Sequence, residues 1–154
     1  MRGIFLVGSL AFAMALLAGC AQAPAPAASA SASAASAATV AVDADYVARL
    51  DGAYLVDVRT PEEYAAGHIP GALNASYPKS TGGPCQAEEN ASSFRVAWAQ
   101  LGIPTDAHVV VYCRTGVRAA AAASALAEDG YRNVEVYEGS WTDWTSDPSR
   151  PVES

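Results

Sequence analysis

A chain of 154 residues holds one domain with a modest core. Sixteen acidic against nine basic side chains give a formal net charge of −7, and no basic stripe or aromatic platform breaks that balance, so nucleic acid is not an expected partner. No metal-ligand cluster, phosphate loop or dinucleotide motif occurs, and no cofactor is expected.

Residues 1–19 read as a cleaved signal. Met1-Arg2 is a short positive start, and Ile4 to Leu17 is an apolar run too short to span a bilayer comfortably. It ends in Leu17-Ala18-Gly19-Cys20, which resembles the bacterial lipobox. That resemblance implies lipidation of Cys20, which would become the first residue of the mature chain and tie it to a lipid bilayer. Ala21 behind the cysteine, rather than Asp, is similar to the sorting context of outer-membrane lipoproteins. The expected address is therefore the bacterial cell envelope, lipid-anchored with the domain facing the periplasm. An ordinary secretory signal cut near Ala21 or Ala23 is the alternative.

Residues 20–39 read as a disordered tether. From Ala21 to Ala38 only Ala, Ser, Pro and one Gln occur, which cannot bury enough apolar surface to offset ordering entropy. Pro24, Pro26 and the repeated serines count against an alanine-rich helix. Such a segment reaches roughly 25 Å.

The domain is expected over 40–148, with 149–154 as a tail. Val40 to Val42 reads as a short edge strand, and Asp43 caps a helix through about Leu50. Tyr54 to Val58 reads as a central strand. Thr60 caps a short helix with Pro61 at its first position, ending at Gly67. Leu73 to Ser76 is another strand. Tyr77 to Ala91 is polar and without period, and reads as a long loop; Ser92 to Gln100 is a helix. His108 to Tyr112 has the β-branched, uncharged composition of a buried strand, and the alanine run Ala119–Ala127 strongly favours helix. Val134 to Tyr137 is the last strand, and Trp141 and Trp144 follow in a closing helical turn, as core rather than substrate platform. Strands alternating with helices argue an α/β fold, a parallel sheet with helices on both faces.

Between the His108 strand and the alanine helix lies Cys113-Arg114-Thr115-Gly116-Val117-Arg118. A short loop from a parallel strand into a helix points successive backbone N–H groups into one small cup at the carboxyl end of the sheet. A cysteine opening that cup is favoured as thiolate by the amides, the helix dipole and the guanidinium groups of Arg114 and Arg118. An inert core cysteine calls for neither Gly116 nor two arginines. The pattern predicts a site for an anion carried on, or attacked by, sulfur.

Three motifs in order resemble the rhodanese family. Asp57-Val58-Arg59-Thr60-Pro61-Glu62-Glu63-Tyr64, followed by Gly67-His68-Ile69-Pro70-Gly71-Ala72 and Asn74, is similar to its N-terminal signature. Val134 to Trp144 is similar to its C-terminal signature, with Asp143 in place of the more usual glutamate. Cys113 to Arg118 has the form of its active-site loop. Sulfurtransferases of the family use a six-residue loop, and the related dual-specificity phosphatases one residue longer; here four residues separate Cys113 from Arg118. The resemblance implies a rhodanese-type parallel sheet and a sulfurtransferase working through a Cys113 persulfide. Its donor would be a small anion such as thiosulfate and its acceptor a thiol or cyanide. The loop residues Arg114, Thr115, Gly116, Val117 and Arg118 would bind substrate. Thr115 stands where some thiosulfate-using relatives carry a basic residue. A non-catalytic envelope binding module and a phosphatase or arsenate-reductase-like enzyme are the alternatives; a monomer is expected.

Three further residues belong to the expected site region. Arg59 ends a strand on the loop's side and reaches the pocket mouth, or pairs with Glu62 or Glu63. Asp57 fixes neighbouring loops by hydrogen bonds. His68 is structural, its ring satisfying backbone groups where the chain enters the next strand. Cys85, in the long loop, either pairs with Cys113 in an oxidising compartment or is a distant loop thiol.

Overall fold

The uncharged run His108–Tyr112 forms the centre of a five-stranded parallel sheet. The computed structural model describes residues 40–80 and 86–154; the signal, the tether, Cys20 and Cys85 lie outside them. In chain order the elements are β1 (Val40–Val42), α1 (Ala44–Ala48), β2 (Tyr54–Asp57), α2 (Pro61–Ala65), β3 (Leu73–Asn74), α3 (Gln86–Ala99), β4 (His108–Tyr112), α4 (Val117–Glu128), β5 (Asn133–Tyr137) and α5 (Ser140–Trp144). The strand order is β1-β5-β4-β2-β3, every pair parallel. Parallel strands need crossover connections, and the helices that supply them cover both faces.

Side chains alternate along a strand, and β4 uses that alternation to serve two cores. Val109 and Val111 join Val56, Phe94, Trp98 and Leu126 under α3 and α4. Val110 and Tyr112 join Val47, Leu55, Tyr137 and Trp144 under α1 and α5. All four of these side chains, every one in β4 after His108, are fully buried, which is why the strand reads as a continuous apolar run rather than an alternating one.

The alanines of α4 act through their size. Ala119, Ala122, Ala123 and Ala125 are buried with Leu126, and methyl groups let the helix lie close against the sheet. The helix starts at Val117, two residues before the alanine run. It ends at Gly130 (φ +91°), where Tyr131 N–H donates to the Leu126 carbonyl at 3.0 Å, a left-handed cap that closes the last turn.

Two expectations are corrected. Gln86 to Ala91, expected as loop, belong to α3, which begins at Gln86 rather than Ser92. Its buried face starts with a polar residue, Asn90, followed by Phe94 and Trp98 at intervals of four, so apolar periodicity alone misses the first turn. Glu88 and Glu89 in that turn suit the helix N-terminus. The last six residues, expected as a tail, fold back onto the domain. His68 and Glu153 exchange both backbone hydrogen bonds, at 2.8 and 3.0 Å, and Trp144 Nε1 donates to the Pro151 carbonyl at 2.9 Å.

Candidate active site

Parallel pairing brings the ends of β2 and β4 together. Asp57 is in register with Tyr112, and Val58 N–H donates to the Tyr112 carbonyl at 2.8 Å. Cys113, the next residue, leaves the strand at the carboxyl edge of the sheet only 1% exposed and packs in the core with Val58 and Ala75. The chain then turns through Arg114, Thr115 and Gly116 into α4. Arg114, Thr115 and Val117 are exposed, whereas Gly116 is buried.

The start of α5 fixes the start of this loop. Trp141 N–H donates to the Cys113 carbonyl at 3.0 Å, and the Thr142 N–H and hydroxyl both donate to the Arg114 carbonyl, at 3.1 and 2.9 Å. Ser140 couples the loop to β5. Its hydroxyl donates to the Tyr137 carbonyl at 2.7 Å and accepts from Cys113 N–H at 3.2 Å. Ser140 is fully buried at φ +54°, a left-handed conformation that is strained for a residue with a side chain. Its two hydrogen bonds offset that strain.

Gly116 fixes the other end. At φ +86° a Cβ there would lie 2.7 Å from the Glu138 carbonyl oxygen, so the loop backbone rests directly on the end of β5. Gly116 is also the N-cap of α4 and contributes no side-chain hydrogen bond. The first-turn N–H groups, which have no partner within a helix, are therefore not occupied by the cap residue. Unpartnered N–H groups of that kind are suited to an anion.

The three arginines around the loop differ in what they bind. Arg59 is 3% exposed. Its Nε and Nη2 donate to the Asp57 carboxylate at 2.6–3.0 Å, and Nη2 also reaches the Gly67 carbonyl at 2.6 Å. Its guanidinium lies 4.2 Å from the centre of the Trp141 ring. Both earlier readings of Arg59 are thereby corrected: it neither lines the mouth nor pairs with Glu62 or Glu63. A buried guanidinium needs a buried counter-charge, and Asp57 is the one in reach. The Asp57 carboxylate also accepts from Arg59 N–H at 2.8 Å, and it is Arg59 that carries the link on to the Gly67 carbonyl.

Arg118 is held by Glu63, at 2.9 and 3.3 Å. Glu63 also accepts from Thr60 N–H, closing a capping box on α2, and lies 3.3 Å from Lys79. Burial opposes the charge on Glu63, but Arg118, the Thr60 N–H and Lys79 outweigh it and hold the carboxyl at about 2. Arg118 is thus committed to its ion pair rather than open to a ligand. Arg114 is exposed and has no ion pair among the described residues.

His68 has Nδ1 3.1 Å from the Tyr64 carbonyl and its ring stacked on Tyr64 at 3.8 Å. Trp144 is core, as expected, and Trp141 is half-buried. Burial, with Asp57 beside it, pushes the Tyr112 hydroxyl well above the usual tyrosine range, so it stays neutral and accepts from Ile69 N–H at 3.1 Å.

Sequence reasoning missed Ser140 and Glu63. The Thr60-x-x-Glu63 spacing of a capping box was a readable signal for Glu63. Nothing local marks Ser140, whose role depends on a strand 27 residues earlier in the chain.

A model of the Rhodanese-like domain matches residues 42–147. The thiosulfate sulfurtransferase of Pseudomonas aeruginosa is 34% identical over 116 residues, covering 69% of this chain and 42% of that protein. The chain spans less than half the length of the curated relatives it matches. A rhodanese-related protein from Thermoplasma volcanium superposes with a TM-score of 0.56 at 25% identity, covering 74% of this chain and 97% of that one. A structure of an EanB variant carrying a cysteine persulfide, with ergothioneine, superposes with a TM-score of 0.62 at 28% identity, covering 74% of this chain and 32% of that one.

Proposed function

The chain belongs to the rhodanese-like domain family, and on that premise we propose that it is a sulfurtransferase acting through a persulfide on Cys113. The observation that carries this is the position of Cys113: at the carboxyl end of the central strand, opening a short loop whose backbone is pinned at both ends and runs into the N-terminus of α4. The thiolate attacks the outer sulfur of an anionic donor such as thiosulfate. A new S–S bond forms, the donor's S–S bond breaks, and sulfite leaves with the electron pair. The persulfide anion is stabilised by the loop N–H groups and the α4 dipole. An acceptor thiol or cyanide then takes the outer sulfur, and Cys113 returns to thiolate.

Arg114 is the cation that meets the donor's oxygens, since Arg59 and Arg118 are bonded to carboxylates. The commitment of Arg118 to Glu63 favours sulfur over phosphorus chemistry, because a phosphoryl group would need that closing guanidinium on its oxygens. The sulfurtransferase names of the relatives and the persulfide carried by the EanB variant support the same reading. Replacing Cys113 with Ser should abolish thiosulfate:cyanide transfer while leaving the circular-dichroism spectrum unchanged. More than trace activity in that variant would remove Cys113 from the mechanism.

The cellular address is a separate proposal, resting on Leu17-Ala18-Gly19-Cys20: the mature chain is lipid-anchored through Cys20, with the domain in the periplasm. Membrane fractionation should release it only with detergent, and Cys20→Ala should block lipid attachment.

A further inference from the structure

Glu63 and Arg118 meet at the carboxyl edge of the sheet, where α2 follows β2 and α4 follows β4. Their side chains are 17% and 12% exposed. Arg118 Nη1 and Nη2 donate to the two carboxylate oxygens at 2.9 and 3.3 Å. An oxyanion of sulfur or phosphorus uses the same pair of guanidinium donors, so Glu63 competes with any such ligand for Arg118. The carboxylate is held in place for that competition. Thr60 N–H reaches Oε2 at 3.1 Å, and Lys79 Nζ stands 3.3 Å from Oε1. Each oxygen is thus met by one arginine N–H and one further donor. A carboxylate fixed in the chain also loses no translational freedom on meeting the guanidinium, whereas a free anion does.

We propose that Glu63 is a positioning residue that decides which anions the site keeps: by holding Arg118 it leaves Arg114 alone, of the three arginines around the loop, to meet the donor, so that sulfite is let go and phosphate is refused. The sulfite half rests on the persulfide reading of Cys113; the phosphate half does not. In that reading thiosulfate gives its outer sulfur to Cys113, and sulfite leaves with the electron pair of the broken S–S bond. An oxyanion facing one guanidinium is released, whereas a second guanidinium, freed at the first turn of α4, would retain it. Without Glu63, Arg118 is left mostly buried and without its counter-charge, and an external oxyanion supplies one. Glu63→Gln therefore costs stability and also turns Arg118 from a bound cation into an open one. A substitution that only loosened the packing would weaken ligand binding; this one strengthens it for oxyanions.

The first test uses full-length protein and inorganic phosphate, with affinity read by titration calorimetry, so that no sulfur chemistry enters. Glu63→Gln should bind phosphate about tenfold more tightly than wild type, as one charge-assisted contact allows. The double variant Glu63→Gln/Arg118→Gln should return to the wild-type affinity, because Arg118 is the group that Glu63 withholds. Glu63→Asp keeps the charge on a shorter arm and should show a smaller gain; it carries the test if Glu63→Gln does not fold. Absence of a gain in the variants that fold overturns the proposal. A gain that persists in the double variant does so too, since it assigns the effect to Lys79 or to net charge. The second test follows the initial rate of thiosulfate loading on Cys113 by mass spectrometry at rising sulfite. Glu63→Gln should be inhibited at about tenfold lower sulfite than wild type. Equal inhibition of the two overturns the role in product release. Wild type that takes up no sulfur at all overturns the persulfide reading instead, and the phosphate result stands apart from it.

Discussion

Among the described residues, the charged groups packed around the base of the Cys113 loop, a framework of Asp57, Arg59, Glu63 and Arg118, are all bound, whereas Arg114 and Glu138 at its rim have no ion pair. Asp57 and Arg59 neutralise each other out of water, Glu63 binds Arg118 and Lys79, and Ser140 spends both of its hydrogen-bonding functions on backbone. Arg114 and Glu138 stand on the rim without ion pairs among the described residues. The same residue type thus stands in two different states around one loop. A guanidinium that is buried and bonded fixes geometry, and one that is exposed and unbonded is available to substrate. The loop's shape and its selectivity are therefore separable, and substitutions should sort into those that change stability and those that change kinetics.

The largest effect should come from the framework. Asp57→Ala leaves the Arg59 guanidinium buried without its counter-charge and should cost about 3–5 kcal/mol in urea-denaturation free energy. Arg114→Ala, on the rim, should stay within about 0.5 kcal/mol of wild type. Equal losses in the two variants would erase the distinction.

Acid should reach the framework next, through Glu63. Its carboxyl is held at about 2 in the folded chain, below the ordinary value of 4.5. The folded state therefore binds this proton more weakly than the unfolded one. The stabilisation is fully present above about pH 4.5 and is lost as pH falls toward 2, on the order of 2–3 kcal/mol in all. Glu63→Gln should remove this part of the acid sensitivity, measured as the pH dependence of the urea midpoint between pH 5 and 2. An unchanged slope would mean that the Arg118 pair contributes nothing.

Gly116→Ala tests where framework and rim meet. A methyl group at φ +86°, 2.7 Å from the Glu138 carbonyl, forces the loop off β5. It should cost about 1–3 kcal/mol and should also slow persulfide formation. A smaller effect on stability and a kinetic one are expected from Arg114→Ala: kcat/KM for thiosulfate should fall about tenfold, with a weaker loss for an uncharged donor. Arg118→Ala should instead lower the melting temperature more than it raises KM.

The strands were legible because burial on both faces leaves a β-branched apolar run, as in Val109–Tyr112, and the candidate nucleophile was singled out because a cysteine, a glycine and two arginines share one strand-to-helix loop. The arginines were legible as charges but not as partners. Which of Arg59, Arg114 and Arg118 is free depends on Asp57 and Glu63, and the Arg118–Glu63 contact joins residues 55 apart in the chain. Ser140 was invisible for the same reason, and its positive φ has no local signature of the kind a glycine gives. The first turn of α3 escaped because Asn90 occupies an inward position that apolar periodicity does not mark.

The central claim is that Cys113 carries sulfane sulfur. Intact-protein and peptide mass spectrometry after one addition of thiosulfate, with sulfite released into solution counted in parallel, tests it most directly. The expected result is one added sulfur atom, located on the Cys113 peptide, with one sulfite released for each sulfur gained and both absent in Cys113→Ser. Sulfite release without added sulfur on Cys113, or added sulfur that persists in Cys113→Ser, would contradict the account.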